Sequence, residues 1–221
     1  ANETDHWYPV VESGLSAQGT ALMTALAEAD PLFAEPWAEA QRLAVSNEGM
    51  TGAAPRGRLQ YAQLGRYVAE RLTGPSRIAS FSFNGWDMHR DQARAMAEQL
   101  RGLSDAILAM KEGLGRAWGT TLVIGLTEFG RTARENGTGG TDHGTGTIAL
   151  LAGGAVKGGR VIADWPGLKP ASLYQGRDLA PTTDLRAVFK GVLHDHLGIG
   201  EAALAQTVFP DSNAARPMKG L

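Results

Sequence analysis

The sequence predicts an α/β domain in which a mostly parallel sheet is flanked by helices. Three observations carry that expectation. The chain has 221 residues, 43% of them hydrophobic, enough to bury a substantial core in one domain. A short β-forming run, "RIASFSF" at 77–83, is followed by a long amphipathic stretch and then by "TTLVIGLTEF" at 120–129. Strand, helix, strand is the βαβ order, whose two strands run parallel. The second run is continuously apolar, as suits a strand covered on both faces.

Residues 15–47 read as two helices. Ser16 caps "AQGTALMTALAEA", and Pro31 stands at the first position of "PLFAEPWAEAQRLAVSN", where the missing N–H costs nothing. Pro36 falls in the first turns of that helix, where it is tolerated. The Gly/Pro-rich connector "SNEGMTGAAPRGR", 46–58, is expected to be flexible or open to nicking. Next, "LQYAQLGRYVAERL" places apolar residues at 59, 61, 64, 67, 68 and 72, which is helical spacing. The run 77–83 stops at the turn pair Asn84-Gly85. A long helix over 90–118 carries Met96, Leu100, Leu103, Ile107, Leu108 and Leu114 on one broad face. "TIALLA" at 147–152 reads as a further buried strand and "GRVIADW" at 159–165 as a short one. "TTDLRAVFKGVLHDHLGI" has a capping Thr and the pattern of a final helix, and the polar tail from Pro210 is expected to wrap the surface or be disordered. The organisation is thus a helical region with its connector at 1–58, an α/β core at 59–210 and a tail at 211–221.

Composition excludes several function classes. Lys and Arg number 21 against 23 Asp and Glu, so no basic footprint for nucleic acid or anionic membrane is present. Cysteine is absent, which removes disulfides, thiolate metal sites and a Cys nucleophile. No apolar run approaches the roughly 20 residues of a spanning helix. The opening Ala1-Asn2-Glu3-Thr4-Asp5 has neither an initiator Met nor a signal-peptide core, so a soluble chain trimmed at its front is expected.

In a right-handed βαβ unit the two strands end at one edge of the sheet, where open α/β sheets bind ligands. "NGWDMH" follows the first strand and "TEFGR" the second, so Asp87, His89 and Glu128 are expected to approach one another. In extended backbone Asp87 and His89 project to the same side and could grip one cation, with Met88 pointing away. The adjacent Asp142 and His143, in the glycine-rich stretch "TEFGRTARENGTGGTDHGTG", would diverge, and such pairs can serve two metals about 3.5–4 Å apart. Singly, each of these residues reads more readily as a turn or cap. Together, carboxylates with imidazoles and no thiolate suit Zn²⁺, Mn²⁺ or Fe, with Ca²⁺ or Mg²⁺ less favoured. Arg131 could clamp a phosphate or sulfate, or pair with a nearby acid. His194 and His196, two apart on a helix, face about 200° from each other and read as helix C-terminal cations or surface residues. "GGAVKGGR" departs from the phosphate-loop pattern and reads as a glycine-rich turn, and His6 takes no role.

The ordered set "FNGWDMHRDQ", "VIGLTEFGRTARENGTGGTDHGTG", "LLAGGAVKGGRV" and "TTDLRAVFKGVLHDHLGI" resembles the bacterial domain-of-unknown-function family 1501 over about residues 59–210. That family is grouped with the alkaline phosphatase and sulfatase superfamily. The resemblance implies an alkaline phosphatase-like fold with one or two divalent metals at the strand ends polarising a phosphate or sulfate ester. It implies that Asp87, His89 and His143 hold one metal while Glu128 or Asp142 faces a second. Met88 stands where the family motif GWDTH has Thr. Family members are much longer, which implies that this chain is the C-terminal half of such a protein and lacks the region of the nucleophile. The implied partners are a small anionic ester and either the missing N-terminal half or another copy of the chain. A periplasmic or secreted location follows from the same resemblance, with a cytoplasmic one as the alternative. The expected function is a metal-dependent hydrolase of phosphate or sulfate esters, with Arg131 as anion clamp. The alternative is a non-catalytic, metal-stabilised binding or assembly module.

Overall fold

A computed structural model of the chain describes residues 17–29, 34, 37–38 and 58–221. The chain forms two units, Ala1–Gln60 and Tyr61–Leu221. In the first, α1 (Ala17–Ala29) confirms the earlier of the two expected helices. Thr24 Oγ1 donates to Thr20 O at 2.9 Å and accepts from Trp37 Nε1 at 3.1 Å. Residues 34, 37 and 38 are helical, as the second expected helix requires. Ser16, Pro31, Pro36, His6 and the connector at 46–57 lie outside the described residues.

The second unit is organised by α2 (Arg58–Thr73) and α3 (Gln92–Leu114). Their approach is close because small residues face backbone and ring. A Cβ on Gly65 would meet Ala106 O at 2.3 Å, and one on Gly102 would meet the Tyr61 ring at 2.5 Å. Val68 and Ala69 thereby bury against Met110 and Leu114, with Leu64, Phe81, Ile107, Trp118 and Val123 around them. Burial of this kind is the main favourable term in folding.

Alternation is confined to the end of the stretch at 77–83, where Phe81 and Phe83 are half-buried and Ser80 and Ser82 exposed, while residues 77–80 are all exposed. Phe83 meets Tyr61 edge-on at 5.0 Å and Phe81 at 5.4 Å. No β-ladder forms along it, however, so the expected βαβ pairing is absent among the described residues. Its side chains hold it extended on the helix pair, and alternation alone reports that packing as readily as a ladder.

The strands that do pair are short and antiparallel. β1 (Val123–Gly125) pairs with β4 (Leu150–Ala152), and β2 (Gly130–Arg131) pairs with β3 (His143–Gly144). The class is therefore mixed α/β, and among the described residues the strands form two antiparallel pairs, one inside the other, with none of the expected parallel pairing. An intervening chain that doubles back makes this nesting available without a crossover helix. Residues 159–165 form no strand; Val161, Ile162 and Trp165 are exposed.

The final helix, α4 (Leu185–Leu197), is capped by Asp184 rather than by Thr. The Asp184 carboxylate accepts from Arg186 N at 2.8 Å and satisfies one of the free N–H groups at the helix start. After α5 (Glu201–Ala203) and a wide turn at Leu204–Val208, the tail wraps back onto α4, with Met218 N donating to Ala187 O at 2.8 Å. Among the described residues no helix is long and apolar enough to cross a membrane.

Candidate metal centre

Two segments far apart in sequence meet at one rim of the second unit. The first is the turn before α3. Met88 is buried at 5% exposure, and its neighbours Asp87 and His89 point outward together, as residues two apart in extended backbone should. The second is the glycine-rich loop. Pairing of Arg131 with His143 across β2 and β3 sets His143 beside the base of Asp87. A further chain segment fixes β2 from the other side. Leu179 N donates to Arg131 O at 3.3 Å, Gly146 N to Leu179 O at 3.0 Å, and Arg177 Nη2 to His143 O at 3.1 Å. Buried Asp178 receives Arg177 Nε at 2.7 Å and Thr145 Oγ1 at 3.0 Å. Those bonds, with the Arg177 guanidinium foremost, hold its carboxyl below the usual range.

Asn136 binds the two segments together. Its Nδ2 donates to His89 O at 3.0 Å and to Asp142 Oδ1 at 3.1 Å, while its Oδ1 accepts from Thr138 N and Gly140 N at 3.0 and 3.1 Å. Gly140 must be glycine for this contact, because a Cβ there would meet His89 C at 2.2 Å. The sequence reading did not single out Asn136. Its Asn-Gly dipeptide signals a turn, and nothing local reveals that the amide reaches back 47 residues.

Asp87 Oδ1 is the centre of the cluster. His143 Nε2 lies 2.8 Å from it, His89 Nε2 2.9 Å and Arg131 Nη2 2.9 Å. One ligand atom from each of Asp87, His89 and His143 falls within 4.8 Å of the others. The hydrogen bond from His143, then that from Arg131, keeps the Asp87 carboxyl below the usual carboxylate range. Phe129 stacks on the His143 ring at 4.1 Å and 11°, which fixes the plane of that imidazole.

Asp142 lies beside the cluster, against the far nitrogen of the His89 ring. Its Oδ1 lies 3.1 Å from His89 Nδ1, on the side of the ring away from Asp87. Asn136, followed by His89, lowers its pKa. Arg131 spends its guanidinium on Thr141 O at 2.8 Å, Trp86 O at 2.9 Å and Asp87, and its side chain is 17% exposed. It braces the rim. Glu128 is exposed and is not one of the three converging ligands. His194 pairs with Asp195 at 2.8 Å, and both it and His196 are exposed in the last turn of α4, as read from spacing.

A family model described as "Protein of unknown function (DUF1501)" matches residues 38–208. The chain belongs to the DUF1501 family. No curated protein and no solved structure matches it. In this DUF1501 chain the donor set at the rim fits a divalent cation. One carboxylate oxygen and two imidazole nitrogens converge, a combination that suits Zn²⁺, Mn²⁺ or Fe. Asp142 completes the pattern, because metal-binding histidines commonly give their second ring nitrogen to a carboxylate.

Proposed function

We propose that this DUF1501 chain supplies the metal-ligand part of a hydrolase acting on phosphate or sulfate esters. The observation that carries the reading is the convergence of Asp87, His89 and His143 at an open rim. Zn²⁺ is the foremost cation for these donors, followed by Mn²⁺ and Fe. A divalent cation, when bound, polarises an ester oxygen and supplies a hydroxide at neutral pH. The protein's own contribution is positional. Asp87 and the two imidazoles hold the cation, Arg131 fixes the Asp87 carboxylate, Phe129 sets the His143 ring and Asp142 sets the His89 ring. Asp142 is thus assigned an orienting role and not a place on a second metal.

Placement with the alkaline phosphatase and sulfatase group is part of the same proposal, as is completion of the sheet by further strands. Those strands would come from a front segment of the same protein or from a second copy. Support comes from apolar side chains with nothing over them: Ile78 is 72% exposed, Ile148 76% and Val161 92%.

The exposure of the cluster favours a second reading. The Asp87, His89 and His143 side chains are about half accessible, at 52%, 46% and 51%, and water exclusion of the kind that strengthens catalytic electrostatics is not built by this chain alone. A non-catalytic, metal-stabilised binding or assembly module accounts for such a rim. Elemental analysis followed by assays on nitrophenyl phosphate and nitrophenyl sulfate, with and without chelation, separates the two. Stoichiometric metal with chelator-sensitive hydrolysis supports the hydrolase. Metal whose removal lowers the melting temperature without any ester being cleaved supports the module, and absence of metal binding refutes both.

A further inference from the structure

A second charged site lies under the tail, independent of the metal rim. Lys190, on the inner side of α4, is 2% exposed, and its Nζ donates to Ser212 O at 2.7 Å. An ammonium carries three donors and a full charge. A single carbonyl satisfies one donor and does not neutralise the charge, so the group is left short of what buried charges require. Asp184 feels the Lys190 charge, but its carboxylate is committed to Arg186, whose Nη2 and Nε lie at 2.7 and 3.0 Å from it.

Beside Lys190 is a cavity of about 310 Å³, lined also by Arg216, Lys219, Asn213 and Glu201. Three cations against one carboxylate leave an excess of two positive charges (3 − 1 = 2). The wall is built into the fold. Ser212 and Ala215 are buried at 1% and 6%, and Met218 N is tied to Ala187 O at 2.8 Å. A Cβ on Gly191 would strike Met218 O at 2.1 Å, so the tail lies hard against α4. Arg216 and Lys219 are therefore presented from a seated strap, on the same cavity as the buried ammonium.

We propose that this cavity binds a tetrahedral oxyanion, a phosphate or sulfate group, with Lys190 as the buried counter-charge and Arg216, Lys219 and the Asn213 amide as outer donors. The dianion matches the two-charge excess, which a carboxylate or chloride does not. The cavity is roomier than the ion, so the group is free or carried on a small organic molecule.

The test uses the full chain stripped with EDTA and dialysed, so that the metal rim plays no part. Inorganic phosphate, inorganic sulfate, glycerol phosphate and chloride are titrated at matched ionic strength by calorimetry. Saturable one-to-one binding of phosphate and sulfate, absent with chloride, is the expected result. Tighter binding of glycerol phosphate supports an ester ligand, and tighter binding of inorganic phosphate supports the free ion. The exposed double variant Arg216→Ala/Lys219→Ala should fold normally and weaken binding at least about tenfold. Glu201→Gln should tighten it, and Lys190→Met should abolish it. Should Lys190→Met fail to fold, the exposed double variant still decides. No saturable binding of either oxyanion, or binding unchanged in the double variant, overturns the proposal.

Discussion

At the rim, Asp87 sits between two imidazoles and a guanidinium, Asp142 sits between an imidazole and an amide, and all of the carboxylates and imidazoles are about half exposed. Beneath the tail, Lys190 is almost wholly buried and has one carbonyl for company. The difference teaches where each site's affinity comes from. At the rim the carboxylates are already hydrogen-bonded within the chain, so a cation must displace bonds that the chain makes to itself, and specificity rests on how well the ligands are held in place. The Lys190 cavity has three cations against the single carboxylate of Glu201, and Lys190 itself donates to a neutral carbonyl, so an anion gains there from the excess positive charge. Rim variants should therefore act through geometry, and cavity variants through charge.

The largest effect is expected where geometry and ligation coincide. Asp87→Ala removes the proposed ligand oxygen and the acceptor shared by His89, His143 and Arg131. Its metal affinity should fall by more than the roughly 100-fold that losing an outer partner costs. Calorimetry with Zn²⁺ measures this, and an unchanged dissociation constant would remove Asp87 from the site. Asp142→Ala should cost about 10- to 100-fold, because His89 loses the carboxylate on its Nδ1 while all three ligands remain. Asp142→Asn keeps an acceptor and should recover much of the loss. If instead the wild type holds two ions and Asp142→Asn holds one, Asp142 is a ligand of a second metal and its orienting role fails.

Much of that rim is legible in the sequence. Two residues apart in extended backbone share a side, which brought Asp87 and His89 together and sent Met88 into the interior. That His143 joins them is what the family resemblance implies, and the structure brings its ring nitrogen to Asp87. Glu128 was grouped with the ligands on the assumption that it ends a strand parallel to 77–83, and that pairing does not form. Alternation and apolar runs report which side chains are covered, not which backbone groups are bonded, so they leave the pairing of strands open. The hubs of the site were invisible for a related reason. Asn136 reaches His89 and Arg177 reaches His143 across 47 and 34 residues, and neither contact has a local sequence signature. The cap of α4 is a smaller instance: Thr182, Thr183 and Asp184 all qualify by type, and only the backbone decides that Asp184 does the work.

Backbone contact between the two rim segments gives a prediction of intermediate size. Gly140→Ala would press a methyl against His89 C and Arg90 N at 2.2 and 2.6 Å, both rigid backbone atoms. It should destabilise the chain by about 1–3 kcal/mol, as overpacking does, and weaken metal binding together with stability. Gly137→Ala, three residues earlier with nothing within 4 Å of its new Cβ, is the control and should do neither. Denaturant unfolding and the same titration read both. Equal behaviour of the two variants would mean that the loop's grip on His89 is not what holds the site.

The smallest expected effect is the acid limb of stability. Asp87 and Asp142 both titrate below their ordinary value of 3.8, Asp87 chiefly through His143 and Asp142 chiefly through Asn136. A carboxyl with a depressed folded pKa takes up its proton later in the folded chain than in the unfolded one. Its stabilisation is therefore complete above 3.8 and is lost as pH falls through the lower folded values. Because both side chains are more than half exposed, water screens their partners and the loss should be slight. In metal-free protein the denaturation midpoint should drop more steeply below 3.8 for the wild type than for Asp87→Asn/Asp142→Asn. Lys190→Met should leave that slope unchanged, since it removes neither rim carboxylate nor any of their partners. A slope that flattens in the lysine variant but not in the aspartate pair would reverse the contrast, placing the acid-sensitive charge under the tail instead of at the rim.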